Sequence, residues 1–552
     1  MSLHTLSTRQ KKLAAAAVII SIIALYLVHI YDYPLMDPDE GRYSEIPREM
    51  IATGDFITPR LNGVEYFEKP ILQYWLTAAS MTVFGENEGA VRVVPAVTAV
   101  VNIFLTAWLA KLMFTNRTAL LTAAILATAT LHIAVGSINI LDMMITMFMT
   151  LSLVTFYQGR RTKNRRWYLL MYAAMALGLL TKGLISIVLP LGIIFWYMLF
   201  TRQWSIIRDI IYLPGIILFF IIGVPWFYLV CQANGDFFYF FFIREHFLRF
   251  ATKIEDRYQP VWFFIPMVIL GMFPWLGFLP ALFTKQGVIR STESDDNKRD
   301  IIFLLTWFFV VFIFYSCSDS KLVPYILPCL SPLAILLAAS IRRSVKLDRW
   351  MAHGLLVNSV GCFIFVAALI WYSTHADYLN AWEIFHKGWL IFLSLTVGLA
   401  VVICIWLKTK QIRCTISAFV VVAFLFAAGL QSIHGQVAVE RTADYVATDI
   451  RRIEQPGDIV VSYGDYIQGL PFYLQKRVVV ASYLGELEFG SKHPSGQGWF
   501  INDAQLMNLW NSDKRVFVVF DKSKKRAINK LFPDKIKSSS PKGGYYFIVN
   551  RD

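Results

Sequence analysis

The chain of 552 residues is 56% hydrophobic and only 16% charged, with a mean hydropathy of +0.52. Soluble domains carry roughly a quarter charged residues, so this composition excludes a soluble enzyme, a disordered scaffold and a disulfide-stapled secreted module. The formal charge of +14 arises from 52 Lys+Arg against 38 Asp+Glu, and its concentration in short connectors accounts for it without a nucleic-acid partner.

In chain order, apolar runs of bilayer length predict a polytopic α-helical membrane protein. The first run covers residues 13–31 and is read as retained rather than cleaved. Further spans are expected at 89–111, 118–135, 141–158, 167–180, 184–200, 210–230, 260–283, 300–316, 323–341, 351–373, 389–407 and 414–431, about thirteen in all. Basic connectors Arg9 to Lys12, Arg160 to Arg166, Arg202 to Arg208, Lys285 to Arg299, Arg342 to Arg349 and Lys408 to Arg413 then fall on one side. Short basic loops stay cytoplasmic, which puts the amino terminus inside and the 32–86 loop outside. The six cysteines lack metal spacing and read as packing residues.

Two domains are expected: a transmembrane domain over 1–431, with its chemistry in the outer loop 32–86, and an outer α/β domain over 432–552. In the second, β-prone runs begin at Asp458, Arg477, Arg515 and Tyr545, with helical stretches Val437 to Arg452 and Asp503 to Asn511 between them.

Loop 32–86 gathers Asp37, Asp39, Glu40 and Arg42 where the chain leaves the membrane. Gly41 to Thr53 has helical spacing, with Ile46, Met50 and Ile51 on one face and Arg42, Glu45 and Glu49 on another, the pattern of a helix in the interface plane. Phe67-Glu-Lys69-Pro follows. Asp142, Lys182, the segment Arg244 to Phe250 and Lys321 to Pro328 lie at other outer ends. Cations and a tyrosine hydroxyl suit a lipid-linked phosphate at headgroup depth, and a carboxylate beside them can orient an acceptor or balance charge on a sugar ring. No phosphate-binding glycine loop is present, so the activated group must arrive on a lipid carrier. A lipid flippase is the alternative, but there is no sign of repeated halves.

Asp39-Glu-Gly-Arg-Tyr43, Phe67-Glu-Lys-Pro70 with Tyr74-Trp75, and Lys321-Leu-Val-Pro-Tyr325-Ile-Leu-Pro328 resemble the GT-C membrane glycosyltransferases that use polyprenyl-phosphate sugars. The resemblance extends over nearly the whole chain and is most like the bacterial 4-amino-4-deoxy-L-arabinose transferase family that modifies lipid A. It implies a periplasm-facing site in the bacterial inner membrane, an undecaprenyl-phosphate-linked donor and a lipid A acceptor; other polyprenyl-phosphate-sugar transferases are the nearest alternative. It also implies roles: Asp39 as catalytic carboxylate, with Asp142 and Glu40 as further acidic members, and Lys69, Arg249, Tyr325 and Arg42 around the carrier phosphate. No cofactor is expected for catalysis. Glu68, His246 and His434, all expected on the outer side, are a candidate set for a structural zinc by residue type, although their spacing is not that of a zinc motif.

Overall fold

The computed structural model describes residues 8–248, 258–283, 287–289, 295–343, 349–375, 386–533, 538–539 and 544–551. Among them, seven helices are long and apolar enough to cross a membrane, or nine if each of two bent pairs counts as one span. Four shorter apolar helices, including Ala15–Leu27 and His353–Phe365, occupy the other expected segments, so the structure supports a multi-pass protein without fixing thirteen crossings.

The helices that position the site are α1 (Thr8–Leu27), α2 (Asp39–Thr53), α3 (Leu72–Phe84), α4 (Glu88–Met113), α5 (Asn116–Ala127), α6 (Thr130–Gly136), α7 (Leu141–Thr162) and α8 (Trp167–Lys182). Asn87 caps α4 by accepting from the Ala90 N–H, supplying one of the partners that a helix start lacks. Helices α5 and α6 form a pair bent by 65°. The Thr128 hydroxyl at that break accepts from Trp275 Nε1 at 2.8 Å, and Thr130 donates to the Leu270 carbonyl at 2.6 Å. These contacts staple the bend to the second bent pair, Val261–Gly271 and Leu276–Phe283.

Helices α7 and α8 pack as an antiparallel hairpin whose turn ends α7 at Lys163 in the left-handed conformation. Asp142, in the first turn of α7, and Lys182, in the last turn of α8, therefore share one end. The basic Arg160–Arg166 connector lies at the other, roughly 24 Å away along the 16 residues of α8.

Beyond the last long helix, Ile412–Ala438, the chain builds a six-stranded sheet in the order β5-β4-β3-β6-β8-β7. Its strands are β3 (Ile459–Tyr463), β4 (Val479–Ala481), β5 (Phe500–Ile501), β6 (Val516–Asp521), β7 (Ser538–Ser539) and β8 (Tyr545–Val549). The first four in that order, β5, β4, β3 and β6, are parallel; β8 runs antiparallel to β6, and β7 antiparallel to β8. Side chains alternate across the sheet. Val460, Phe517, Val519 and Phe547 join the core shared with the membrane helices, whereas Val461, Val518, Phe520 and Ile548 pack with Trp510 and Phe532 on the opposite face. The expected helix Val437 to Arg452 is instead the tail of the long helix, a turn, and then Asp444–Ile453.

Helix α2 is present, but its polar face is not wet. Residues 40–50 are all buried, because α2 is sandwiched between α3 and the helix Gly469–Leu474 of the sheet-bearing part. Gly41 permits that approach: a Cβ there would come within 2.4 Å of the Gly469 backbone nitrogen. After α2, the short hairpin β1 (Arg60–Leu61) and β2 (Val64–Glu65) turns through Asn62 and Gly63, both at positive φ, as a two-residue Asn-Gly turn requires. Asn62 exchanges hydrogen bonds with the Val478 backbone at 2.9 and 3.0 Å.

Candidate active site

The three neighbouring carboxylates at the start of α2 meet three different environments. Asp37 is buried, accepts from the Gly469 N–H at 2.6 Å, and its own N–H donates to the Arg441 carbonyl. Burial pushes its carboxyl up to about 7, opposed by hydrogen bonds from Gly469, Tyr545 and Ala443. Asp39 is the open one, its side chain 56% exposed and held at 3.1 Å by Arg42 one turn on. Glu40 turns inward to the fully buried Arg92 of α4, two oxygens against two nitrogens at 2.8 Å each. It also accepts from the backbone N–H groups of Met36 and Asn139. Glu40 thus ties α2 to the membrane helices, while Asp39 faces outward.

Arg42 reaches the other way, its Nε 2.7 Å from Glu486 of the sheet-bearing part. Burial works against the Arg42 charge, but Tyr66, Glu486, Tyr43 and Asp39 outweigh it and keep the guanidinium ionised. Glu486 in turn accepts from Tyr66 and Gln468. Burial raises its carboxyl, with Arg42 opposing.

On the membrane side, Lys182 Nζ donates to Asp142 at 2.6 Å and lies 4.5 Å from the Tyr325 ring centre. Tyr325 packs on Tyr315 at 5.3 Å. The two clusters meet at buried Tyr43, which stacks on Tyr74 at 6.1 Å. Burial pushes the Tyr43 hydroxyl up; the charges acting on it are Arg42, which lowers it, and Asp39, Glu68 and Asp142, which raise it further. Lys69 is half-buried, its Nζ 3.0 Å from the Glu68 carbonyl. The structure therefore brings Asp39, Arg42, Glu68 and Asp142 around one tyrosine, with Lys182 and Tyr325 behind Asp142. Arg249 and the side chain of His246 lie outside the described residues.

Of the zinc candidates, Glu68 shares its surroundings with Tyr43, Tyr66 and Glu486. His434 instead packs edge-on against Tyr33 at 5.9 Å, near Arg92 and Glu40. Among the described residues no three His, Cys, Asp or Glu side chains converge as a metal site; the third candidate, His246, has its side chain outside them.

The comparisons fit this geometry. A family model for dolichyl-phosphate-mannose-protein mannosyltransferase matches residues 11–241, and one for the aminoarabinose transferase C-terminal domain matches 446–535. An undecaprenyl phosphate-alpha-4-amino-4-deoxy-L-arabinose arabinosyl transferase from Erwinia tasmaniensis is 30% identical over 523 residues, 89% of each chain. The corresponding Aeromonas salmonicida protein is 32% identical over 74% of this chain and 75% of its own. The chain belongs to this arabinosyl transferase family. The match to the Yersinia enterocolitica arabinosyl transferase, at 36% identity, spans only 58% of that protein. The crystal structure of ArnT from Cupriavidus metallidurans bound to undecaprenyl phosphate superimposes with a TM-score of 0.83 over 99% of both chains, at 26% identity.

Two residues of this arabinosyl transferase family member escape a reading of the motifs. Arg92 carries a signal, an arginine inside an apolar run, where charge is expensive and has a partner by default. Glu486 carries none: it is one acid in a polar stretch, and only the docking of two distant segments gives it Arg42.

Proposed function

We propose that this chain transfers 4-amino-4-deoxy-L-arabinose from undecaprenyl phosphate to a phosphate of lipid A, at the periplasmic face of the bacterial inner membrane. The observation that carries the reading is the open carboxylate Asp39, fixed by Arg42 beside the Asp142–Lys182–Tyr325 cluster. It occurs in a fold shared with a transferase crystallised with undecaprenyl phosphate. The basic connectors at the opposite end of α7 and α8 support the periplasmic orientation.

In the reaction an acceptor phosphate oxygen attacks the anomeric carbon while the bond from that carbon to the carrier phosphate breaks. The acceptor is an oxyanion already, so Asp39 need not remove a proton. Its role is to orient the acceptor or to balance the positive charge that develops on the ring. The departing carrier phosphate gains negative charge, which Lys69, Arg249 and Tyr325 would stabilise, with Arg42 keeping Asp39 in place. Asp142 holds Lys182 by a charge-assisted bond at 2.6 Å, which points this cation at the same group.

The test is single-turnover transfer and carrier binding on well-folded, detergent-purified variants. Asp39→Asn should abolish turnover and spare carrier binding, whereas Lys69→Ala should weaken both, by the roughly 1.5–3 kcal/mol of a charged hydrogen bond. Near-normal transfer by Asp39→Asn would remove that residue from the catalytic role. The mannosyltransferase match over 11–241 favours one second reading, transfer to protein. Modification of serine or threonine by the purified enzyme, with lipid A left unchanged, would establish it.

A further inference from the structure

At the end of α7 and α8 remote from Asp142 and Lys182, the connector after α7 is stapled to residues 202–212. Arg165 Nη2 donates to the carbonyls of Arg208, Asp209 and Ile211 at 3.1, 3.4 and 2.6 Å, and its guanidinium lies 5.1 Å from the Tyr212 ring centre. The Tyr172 hydroxyl donates to the Ile210 carbonyl at 2.7 Å, and Arg160 to Gln203 at the same distance. These bonds satisfy the carbonyls at the end of the short helix Ser205–Ile210 and fix its outer side.

That outer side is amphipathic. Trp204, Ile207 and Ile211 are 55%, 43% and 60% exposed. With Arg165 and Arg208 they line an open groove of about 620 Å³. Segment 202–212 carries Arg202 and Arg208 against the single acid Asp209, and Arg166 adds a further exposed cation. Tryptophan and arginine at the end of membrane helices mark headgroup depth. A groove with guanidinium groups at its edge and an apolar wall complements a ligand with an anionic head and acyl chains.

We propose that this groove binds one anionic glycerophospholipid, its phosphate between Arg165 and Arg208 and its upper methylenes against Trp204, Ile207 and Ile211. The site lies roughly 24 Å from Lys182 along α8 and is independent of the transfer chemistry.

Native mass spectrometry of the full-length protein, delipidated in neutral detergent and then offered phosphatidylglycerol or phosphatidylcholine, tests this. Wild type should retain one phosphatidylglycerol in preference to phosphatidylcholine. Arg208→Gln should lower that retention about five-fold, the effect of one cation near an anionic headgroup, and Trp204→Ala should lower it too. Among the described residues Arg208 joins the staple through its carbonyl alone, so its side chain can be exchanged without undoing the local fold. Lys298→Gln, in another basic connector, should leave retention unchanged. The proposal is overturned by equal retention in Arg208→Gln, by an equal loss in Lys298→Gln, or by equal retention of phosphatidylcholine, which means apolar adhesion alone. Complete displacement of the lipid by excess inorganic phosphate overturns it as well, because the site would then be one for a free anion. Lipid retention is read without any sugar transfer, so its failure is distinct from failure of the proposed activity.

Discussion

Glu40 and Asp39 are adjacent acids, and removing each should have an opposite signature. Arg92 uses all five of its donors: Nε and Nη2 reach Glu40, Nη1 reaches the carbonyls of Ile30 and Tyr33, and Nη2 also reaches that of Pro34, at distances of 2.6 to 3.1 Å. The pair is 0% and 1% exposed at the side chains. Glu40→Ala leaves a buried guanidinium without a counter-charge and strips acceptors from the Met36 and Asn139 backbone. Breaking a buried pair in this way costs about 3–5 kcal/mol. Asp39 is 56% exposed with one partner, and exposed pairs contribute roughly 0.2–1 kcal/mol. Thermal or denaturant melts of detergent-purified protein should therefore show a large loss for Glu40→Ala and almost none for Asp39→Asn, while transfer falls in both. The double variant Glu40→Leu/Arg92→Met should be less destabilised than the sum of its single changes, because no charge is left unpaired. If Glu40→Ala melts like wild type yet has no activity, the clamp argument fails and Glu40 belongs to the chemistry.

Three further outcomes are expected. Burial raises the Asp37 carboxyl from its ordinary 3.8 to about 7, so the stability it lends to docking of the sheet-bearing part is complete below about pH 4 and is lost as pH rises through about 7. Proteolytic release of that part, followed across this window, should depend on pH in wild type and much less in Asp37→Asn. Gly41→Ala would put a methyl group within 2.3–2.7 Å of Asp37 Oδ1 and the Gln468–Gly469 backbone; overpacking of about 1–3 kcal/mol should lower the melting point and speed proteolysis between Ala438 and Asp444. A reporter active only in the periplasm should work when fused after Ile453 and fail after Lys163; the reverse result would place Asp39 in the wrong compartment for a lipid-carried donor.

The apolar runs made the multi-pass helical architecture legible, and β-prone runs marked the longer strands closely: Tyr545 to Val549 is a strand over the same residues. Helix α2 was legible from its spacing, since a 3.6-residue period is a local property. What covers its polar face was not, because that depends on Glu486, Gln468 and Gly469, more than 420 residues away. Read alone, Arg42, Glu45 and Glu49 look like a solvated stripe. In the fold Arg42 pairs with Glu486, Glu45 binds Arg48 at 2.6 and 2.7 Å, and Glu49 accepts from the Gly63 N–H. Burial, and then the charge of Glu45, raise the Glu49 carboxyl to about 8.

The same limit explains why a cluster of acids in sequence is not a cluster in space. Successive residues on a helix point about 100° apart, so the acids at and just before the start of α2 need not face one site. Asp37 meets the sheet-bearing part, Asp39 the open side and Glu40 the membrane helices. The helix is thus the middle layer between the sheet-bearing part and the membrane helices, with Asp37 turned to the first, Glu40 to the second and Asp39 left open. Arg42 follows Asp39 by three residues and so shares its face, yet its second partner, Glu486, comes from the far layer. The orientation of the exposed carboxylate therefore depends on the docking of a part of the chain that contributes none of the membrane helices. A truncation after the last long helix should leave Asp39 in place in the sequence but remove Glu486 from Arg42, and with it the constraint that aims the carboxylate.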